Sequence, residues 1–269
     1  MCIMKRKVNF VRRLIFKLLP FEYYLKTLSK VYFASFYMGM LRINRLYDYP
    51  YFLDKIISKG DVCIDIGANL GYITVLLSRL TLSEGKVFAV EPVMPILSVL
   101  KSNTKNLKNV EIYPFALGAE NKKIKLGNNT KKKMRIIASG SNFILESDNS
   151  AEVEFDAEMK KGSELFYNLS RLDFIKCDIE GYEVVVIPEI EPVILKFCPI
   201  LLIEARGQNR IHMLDFFKSH NYNAYVLNNG KLQPAEKDEY WDILFVPQSK
   251  LEKVSKYISE LPPTKNKRH

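Results

Sequence analysis

Residues that bind metal ions are scarce in this sequence. Its 269 residues include only three His and four Cys, and no two cysteines form a Cys-x-x-Cys pair. We therefore expect no structural zinc site and assign no residue as a metal ligand, while a metal that assists catalysis stays an open alternative. Cys63 and Cys177 lie inside apolar, strand-like segments, which favours buried free thiols in a reducing compartment.

Long hydrophobic runs are also missing. The most apolar N-terminal stretch, residues 14–19, is interrupted by Lys17 and is far shorter than the roughly 20 residues that cross a bilayer. It also lacks the long apolar core and the small-residue cleavage site of a signal peptide. The sequence therefore predicts a cytoplasmic protein without a transmembrane span.

Basic residues are in excess, but they are concentrated at the two ends of the chain. Residues 1–60 contain 12 Lys and Arg against 3 Asp and Glu, and residues 250–269 contain 6 against 2. The segment between them is slightly acidic, with 22 basic and 25 acidic residues. Enzymes that act on nucleic acids usually carry basic residues around their site, so this distribution disfavours a nucleic-acid partner.

The N-terminal residues 3–19 fit an amphipathic helix, with apolar side chains on one broad face and Lys and Arg opposite. Two interpretations stay open. The helix packs on the domain with its basic face in solvent, or it lies on the anionic inner face of a membrane.

An alternation of strands and helices begins after residue 51 and predicts an α/β domain with a parallel sheet covered on both faces. We place this domain at 51–249, between a basic helical extension (1–50) and a basic C-terminal helix and tail (250–269). The alternation is interrupted at 118–161, an insertion typical of a substrate loop. The predicted strands are 62–66, 86–91, 110–115, 172–178, 200–204, 223–227 and 243–246, and the predicted helices are 70–80, 94–106, 184–195 and 211–220.

The segment from Asp65 to Gly71, DIGANLG, directly follows a predicted buried strand and precedes a helix. Glycines at such a turn let the backbone approach a ligand, and the crevice at the carboxyl ends of the strands is where nucleotide-like cofactors bind. The spacing is Gly-x-x-x-Gly with an acid ahead of it, unlike the Gly-x-Gly-x-x-Gly of dinucleotide sites. Asp65 would repel a pyrophosphate but suits a ligand that carries ammonium and sulfonium charges. Glu91 ends the second strand, where a carboxylate can bind ribose hydroxyls.

Four segments together resemble the FkbM-type methyltransferases: Asp65–Gly71, Glu91-Pro92, Ala116-Leu117-Gly118, and the segment KCDIEGYE that begins at Lys176. The resemblance covers about residues 50–247. It implies a Rossmann-like, seven-stranded methyltransferase sheet, mostly parallel with its last strand antiparallel, to which this chain adds an N-terminal helical extension. It also implies S-adenosylmethionine as the cofactor and O-methylation, often of sugar or secondary-metabolite hydroxyls.

The resemblance further implies roles for individual residues. A loop around the methionine part of the cofactor would contain Asp65, Gly67, Asn69 and Gly71. Glu91 would hold the ribose, while Pro92 and Ala116 would lie on the adenine side. Asp178 and Glu180 would face the transferred methyl group. A role for Glu204 stays open, because the Ala205-Arg206 that follows it departs from the family pattern.

Methyl transfer to a hydroxyl needs a base, because the hydroxyl pKa lies far above neutrality. Asp178 and Glu180 are the candidates, and both can face the site only if the chain turns after Asp178, which Gly181 allows. Two close carboxylates would raise one pKa toward neutrality. The alternative for Glu180 and Glu183 is to cap the next helix.

Three competing functions remain. A nucleic-acid methyltransferase for adenine usually carries an Asn/Asp-Pro-Pro-aromatic turn where this chain has Asp178-Ile-Glu-Gly, and an NAD-dependent oxidoreductase requires the third glycine. A cofactor-binding module without catalysis is the third. For the acceptor, we expect a small molecule or a sugar hydroxyl of a glycan, lipid-linked if the N-terminal helix binds the membrane. The lysines at 131–133 form a solvated loop or recognise an anionic group on the acceptor.

Overall fold

The computed structural model describes residues 19–128, 142–144 (as backbone), 151, 153–235 and 240–259. The predicted N-terminal helix up to residue 18, the lysine run at 131–133 and the end of the basic tail lie outside the described residues.

The described residues form a main sheet of eight strands in the order β11-β10-β12-β9-β8-β1-β2-β3 and a smaller sheet of four strands in the order β4-β7-β5-β6. The strands are β1 (Val62–Ile66), β2 (Lys86–Val90), β3 (Val110–Tyr113), β4 (Ala116–Leu117), β5 (Lys122–Asn128), β6 (Asn142–Ile144), β7 (Val153–Lys160), β8 (Phe174–Cys177), β9 (Ile200–Glu204), β10 (Tyr222–Asn228), β11 (Lys231–Pro234) and β12 (Asp242–Pro247).

The main sheet contains all seven predicted strands. Its strands β3, β2, β1, β8 and β9 are parallel, and β12 runs antiparallel between β9 and β10. The predicted Rossmann-like sheet with an antiparallel last strand is thereby confirmed. One strand exceeds the predicted seven, because β11 pairs with β10 as a hairpin at the edge of the sheet. This strand has four residues and a mixed polar sequence, so no apolar pattern marks it.

Helices cover both faces of the main sheet. The predicted helix at 184–195 is divided in two at Ile190, because Pro188 and Pro192 interrupt its backbone hydrogen bonding. The helices are α1 (Phe21–Tyr37), α2 (Asp48–Ile56), α3 (Tyr72–Thr81), α4 (Met94–Thr104), α5 (Gly162–Phe166), α6 (Glu183–Glu189), α7 (Glu191–Phe197), α8 (Gly207–Ser219) and α9 (Leu251–Ser255), and short 3-10 turns lie at Met40–Ile43, Arg45–Tyr47 and Gln248–Lys250.

The core lies on both sides of the main sheet. Along β1, Ile64 and Ile66 belong to one buried apolar cluster, and Cys63 belongs to another on the opposite face. Strands buried on both faces are apolar throughout, which is why the alternation was readable from sequence. Cys63 and Cys177 are free and buried, as predicted. Helix α2 contributes Phe52 and Leu53 to the second cluster, so the N-terminal region shares the core of the sheet.

The insertion after Gly118 contains the smaller sheet. Strand β7 alternates outward acidic residues with inward Phe155, Ala157 and Met159, a period of two that indicates a half-buried strand. It pairs with β5 over seven residues and with β4 over two. The sheet brings Ala116, on β4, and Leu126, on β5, to the same cavity at the main sheet.

Within the described residues, no helix combines the length and apolar character needed to span a bilayer.

Candidate active site

A cavity of about 320 Å³ opens at the carboxyl ends of β1, β2, β8 and β9. This is the edge at which open α/β sheets bind ligands, and the volume is that of a small-molecule site. The cavity is lined by Leu46, Tyr49, Pro50, Gly67, Ala68, Asn69, Tyr72, Ile73, Glu91, Pro92, Val93, Ala116, Leu117, Leu126, Lys176, Asp178, Ile179, Glu180, Tyr182, Leu202, Glu204 and Asp242.

The loop after β1 has a backbone that depends on glycine. Gly67 has φ +75°, and a Cβ built there would lie 2.1 Å from the carbonyl oxygen of Asp178. The amides of Gly67 and Ala68 both donate to the carbonyl of Val90, at 3.1 and 2.9 Å. The loop is therefore fixed to β2 on one side and pressed against the end of β8 on the other.

Glu91 lies directly after β2 and is buried. Its two carboxylate oxygens accept hydrogen bonds from backbone amides, one from Asn69 at 2.9 Å and the other from Val93 at 3.0 Å. Burial raises the pKa of Glu91 to about 7, although these hydrogen bonds favour the charged form. Each oxygen keeps a second lone pair, so Glu91 can still accept from ligand hydroxyls.

Asp65 lies beneath the loop and is fully buried. Its Oδ2 accepts from Thr74 Oγ1 at 2.6 Å, and its Oδ1 is 3.8 Å from Lys176 Nζ. The same ammonium donates to the Gly67 carbonyl at 3.2 Å and lies 3.3 Å from Asp178 Oδ2. Burial opposes the charge of Lys176, but Asp178 and Asp65 outweigh it and raise the Lys176 pKa. Lys176 thus links the carboxylates under the loop and at the cavity wall.

Asp178 and Glu204 follow or end neighbouring strands, β8 and β9, and their carboxyl groups hydrogen-bond to each other. Burial disfavours the charge on Asp178, but Lys176 and the hydrogen bond with Glu204 outweigh it and lower the Asp178 pKa. Burial, followed by the bond to Asp178, raises the pKa of Glu204 to about 8. At neutral pH the pair therefore holds one proton on Glu204, and Asp178 is ionised.

The chain turns after Asp178, as is required for Asp178 and Glu180 to face the same site. Glu180 has φ +57° and Gly181 φ +105°, so the chain reverses there and Glu180 also lines the cavity. Burial and the charge of Asp178 raise the pKa of Glu180. Glu183 is not among the residues that line the cavity, and its Oε1 accepts from the Ile179 amide at 2.7 Å, in the turn before α6. This bond fixes the turn and is not a cap of α6.

The wall beyond β9 carries a further acid and an aromatic ring. Asp242, on β12, is the register partner of Glu204, and burial and the charge of Asp178 raise its pKa to about 6. Arg206 contacts the Glu204 carboxylate, and its guanidinium lies 3.6 Å from the ring centre of Trp241. Trp241 is half-exposed, so one aromatic surface stands beside the acids.

The structure brings seven of the nine predicted site residues to one cavity: Gly67, Asn69, Glu91, Pro92, Ala116, Asp178 and Glu180. The other two are not among the residues that line it. Asp65 acts from beneath through Lys176, and Gly71 begins α3 with φ +86°. From the sequence, the role of Glu204 stayed open, and neither Asp242 nor Lys176 was assigned a role. Glu204 had a readable signal, because it ends a strand next to that of Asp178.

The cavity's charge fits a cationic cofactor. Of its described lining residues, five are Asp or Glu and one is Lys. Such a wall attracts the ammonium and sulfonium groups of S-adenosylmethionine and repels a pyrophosphate. Within the described residues, no three His, Cys, Asp or Glu side chains are grouped so that they could hold a metal ion.

Several solved structures share part of the fold. Methyltransferase FkbM from Methylobacillus flagellatus KT is 16% identical with a TM-score of 0.46, over 69% of this chain and 43% of that chain. An O-methyltransferase from Thermotoga maritima is 14% identical with a TM-score of 0.42, over 75% and 64% of the two chains. Fibrillarin from Aeropyrum pernix, solved with S-adenosyl-L-methionine bound, is 9% identical with a TM-score of 0.39, over 71% and 67%. The present chain thus spans less than half the length of the Methylobacillus protein.

A comparison with curated proteins finds no match to the sequence. The family model described as the methyltransferase FkbM domain matches residues 65–224, more than half of the chain. This match includes the glycine loop, Glu91 and the Asp178 turn, and it confirms the resemblance noted in the sequence. The chain therefore belongs to the FkbM family of methyltransferases.

Proposed function

We propose that this protein transfers a methyl group from S-adenosylmethionine to a hydroxyl oxygen of a sugar, with Asp178 as the general base. The observation that carries the proposal is the carboxyl pair of Asp178 and Glu204 at the wall of the cavity. An ionised carboxylate at that wall can accept the proton that a hydroxyl must lose.

The loop at Gly67 together with Glu91, on the donor side of the site, would bind and orient the methyl donor. When bound, S-adenosylmethionine supplies an electrophilic methyl group on a cationic sulfur. Glu91 is fixed by two backbone amides, so its free lone pairs point in a set direction toward ribose hydroxyls. The fixed loop at Gly67 limits where a ligand can lie along the carboxyl end of β1.

The acid side removes a proton. In the displacement that transfers the methyl group, the carbon–sulfur bond would break to leave a neutral thioether as the hydroxyl oxygen bonds to the methyl carbon, and Asp178 would accept the hydroxyl proton. Glu204 donates a hydrogen bond to Asp178 and keeps the pair singly charged, while Lys176 holds the Asp178 carboxylate in place. An amine acceptor has less need of this base, so the pair favours a hydroxyl.

A sugar is favoured over a nucleic acid by the surface next to the acids. Trp241 precedes the cavity residue Asp242 and is half-exposed, with Arg206 against its ring. The part of the ring that Arg206 leaves open is a flat apolar surface of the kind that can cover one face of a sugar ring. The described cavity wall has five carboxyl groups against one amine, which would repel a phosphodiester chain.

The experiment measures transfer of a labelled methyl group from S-adenosylmethionine to a panel of glycans and monosaccharides. Each acceptor is matched with a version whose hydroxyl is already methylated. Replacing Asp178 with Asn is expected to lower kcat by about 10² to 10⁴-fold, the usual contribution of a general base. The cofactor Kd, measured by calorimetry, should stay within about threefold, because Asn keeps the size of the side chain. The exposed Asp215, on α8, provides the matched control as Asp215→Asn.

Acceptor binding has its own readout, since Trp241 is the only tryptophan in the chain. A bound sugar should change its fluorescence in both the wild type and Asp178→Asn. The proposal fails if Asp178→Asn retains full kcat, or if the methyl group appears on nitrogen rather than oxygen when the product is analysed by mass spectrometry.

A further inference from the structure

A loop between α1 and α2 exposes large apolar side chains. Residues 38–46, called here the apolar loop, include Met38 at 67% exposed, Met40 at 59%, Ile43 at 91% and Leu46 at 71%. Single exposed apolar residues are common on protein surfaces, but four within nine residues form a patch. Such patches mark surfaces that bind another apolar surface.

The apolar loop is held in this form by the rest of the fold. Arg42 lies 4.4 Å from the ring centre of Tyr51, and Arg45 lies 4.8 Å from that of Tyr240. Arg45 also donates to Asn228 Oδ1 at 2.9 Å, at the end of β10. Both arginines are exposed, but each contacts a tyrosine of the fold, and the apolar side chains between and beside them face solvent. The exposure results from specific contacts rather than from a frayed helix end.

The sequence around the loop is mainly basic. Residues 23–47 contain four basic residues and no acidic one, with Glu22 and Asp48 on either side. Residues 1–18, which precede α1 in the chain, contain six basic residues and no acidic one. Exposed apolar side chains surrounded by Lys and Arg are typical of surfaces that insert into an anionic lipid interface. A second copy of the same patch would place like charges opposite each other.

The position of the loop relates it to the cavity. Leu46, at its end, lines the cavity, and so do Tyr49 and Pro50 at the start of α2. A surface bound to the apolar loop therefore lies next to the place where an acceptor would enter.

We propose that the apolar loop docks the protein on an anionic membrane, with Met40 and Ile43 inserted among the lipid headgroups and the mouth of the cavity turned toward the lipid surface. The side chains enter the acyl boundary, while the nearby arginines and lysines stay among anionic headgroups. The cavity then faces acceptors carried by the membrane. This docking does not depend on the reaction performed in the cavity.

The test measures binding of the full chain to vesicles by flotation. One set of vesicles is pure phosphatidylcholine, and the other contains about one third phosphatidylglycerol. We expect binding to the anionic vesicles and about tenfold weaker binding, or more, for the double variant Met40→Ser and Ile43→Ser. The matched control is Leu195→Ser with Ile211→Ser, which removes two apolar side chains that are about half-exposed on α7 and α8, outside the apolar loop. The control should bind as the wild type does.

Other occupants of the loop give different results. The proposal is overturned if Met40→Ser/Ile43→Ser binds vesicles like the wild type while Arg12→Gln/Arg13→Gln does not, since the N-terminal residues would then be the sole membrane contact. It is also overturned if binding is equal on both vesicle types. A dimer in light scattering that the loop variant abolishes, without vesicle binding by the wild type, would assign the patch to self-association. Calorimetry of the loop variant with S-adenosylmethionine should give the wild-type Kd, which separates this proposal from that for the cavity.

Discussion

The two sides of the cavity are built from different kinds of contact. On the donor side, which consists of the loop at 67–71 together with Glu91 and Val93, carboxylate oxygens bond to backbone amides. On the acid side, which consists of Asp178, Glu204 and Asp242, the carboxyl groups interact with each other and with Lys176 and Arg206.

This difference separates the residues suited to binding the cofactor from those suited to transferring a proton. Backbone amides do not titrate, so the partners of Glu91 keep their charge at any pH, and only Glu91 itself, with its pKa raised to about 7, gains or loses a proton on this side. The partners of Asp178 are themselves titratable, so a proton lost or gained at Glu204 changes the charge that Asp178 experiences. The donor side is therefore suited to binding one cofactor in one pose, and the acid side to moving a proton.

The two sides meet at Gly67. Substituting this glycine should have the largest combined effect on stability, cofactor affinity and kcat. In Gly67→Ala the new Cβ would fall 2.1 Å from the Asp178 carbonyl oxygen, at a φ that L-residues rarely adopt. Because the clash is with backbone, the loop or the end of β8 must shift, and we expect a loss of stability of about 2–4 kcal/mol. Cofactor affinity and kcat should fall together. Thermal unfolding, calorimetry and the methyl-transfer assay measure the three effects.

Gly207 provides the matched control. It has φ +52°, and no heavy atom lies within 4 Å of a Cβ built there. Gly207→Ala should therefore cost only the backbone strain, about 1 kcal/mol, with an unchanged cofactor Kd. If Gly67→Ala behaved like this control, the two sides would not be coupled through the loop.

The same comparison explains how much of the site could be predicted from sequence. The donor side is formed by short segments whose geometry is local: a strand, a glycine turn, and an acid at the end of the next strand. Asn69 and Glu91 are far apart in the chain, but parallel pairing of β1 with β2 brings them together wherever the strands are recognised. These residues were named from sequence, and the family resemblance implied a mostly parallel sheet with its last strand antiparallel.

The acid side was only half predictable. Asp178 belongs to a recognisable segment, but its bond with Glu204 requires β8 and β9 to be neighbours, and Asp242 requires the antiparallel β12 as well. The burial of Asp65 away from the cavity was also outside the sequence argument. The pattern of residues along a strand shows which side chains share a face of the sheet, but it does not show which of the two faces a ligand contacts.

Glu91 tests the donor side alone. In Glu91→Gln, one of the two backbone amides, that of Asn69 or of Val93, faces an NH₂ group instead of an acceptor. We expect the cofactor Kd to rise about tenfold, because the loss of a charge-assisted hydrogen bond costs about 1–3 kcal/mol. The kcat at saturating cofactor should change by less than about threefold, the reverse of the pattern for Asp178→Asn. Calorimetry and saturation kinetics measure the two quantities.

The control for this substitution is Glu111→Gln on β3, where the carboxylate is paired with Lys86 at the surface. It should leave the cofactor Kd unchanged, since exposed ion pairs contribute little. A Glu91→Gln protein with normal affinity and a lower kcat would assign Glu91 to the reaction rather than to binding.

Glu204 tests the acid side and gives the smallest effect. Its pKa is raised to about 8 in the folded protein, so the native state keeps a proton that the unfolded chain releases near its ordinary pKa of about 4.5. The native state then binds more protons between these two values, and the free energy of unfolding attributable to this group falls as pH rises through that window. Gln at this position stays neutral, and its amide can donate to Asp178 as the protonated acid does. Relative to the wild type, the Tm of Glu204→Gln should therefore rise by a few degrees between pH 5 and pH 9.

The difference between the two proteins reports on Glu204 together with Asp178, whose carboxyl interacts with it, while Glu91, whose pKa is also raised, contributes to both proteins. Thermal scans at pH 5, 7 and 9 measure it. If the Tm difference for Glu204→Gln were flat with pH, the proton would not reside on Glu204, and the acid pair would be held by Lys176 and Arg206 as two charged carboxylates. The distinction between a fixed donor side and a titrating acid side would then be lost.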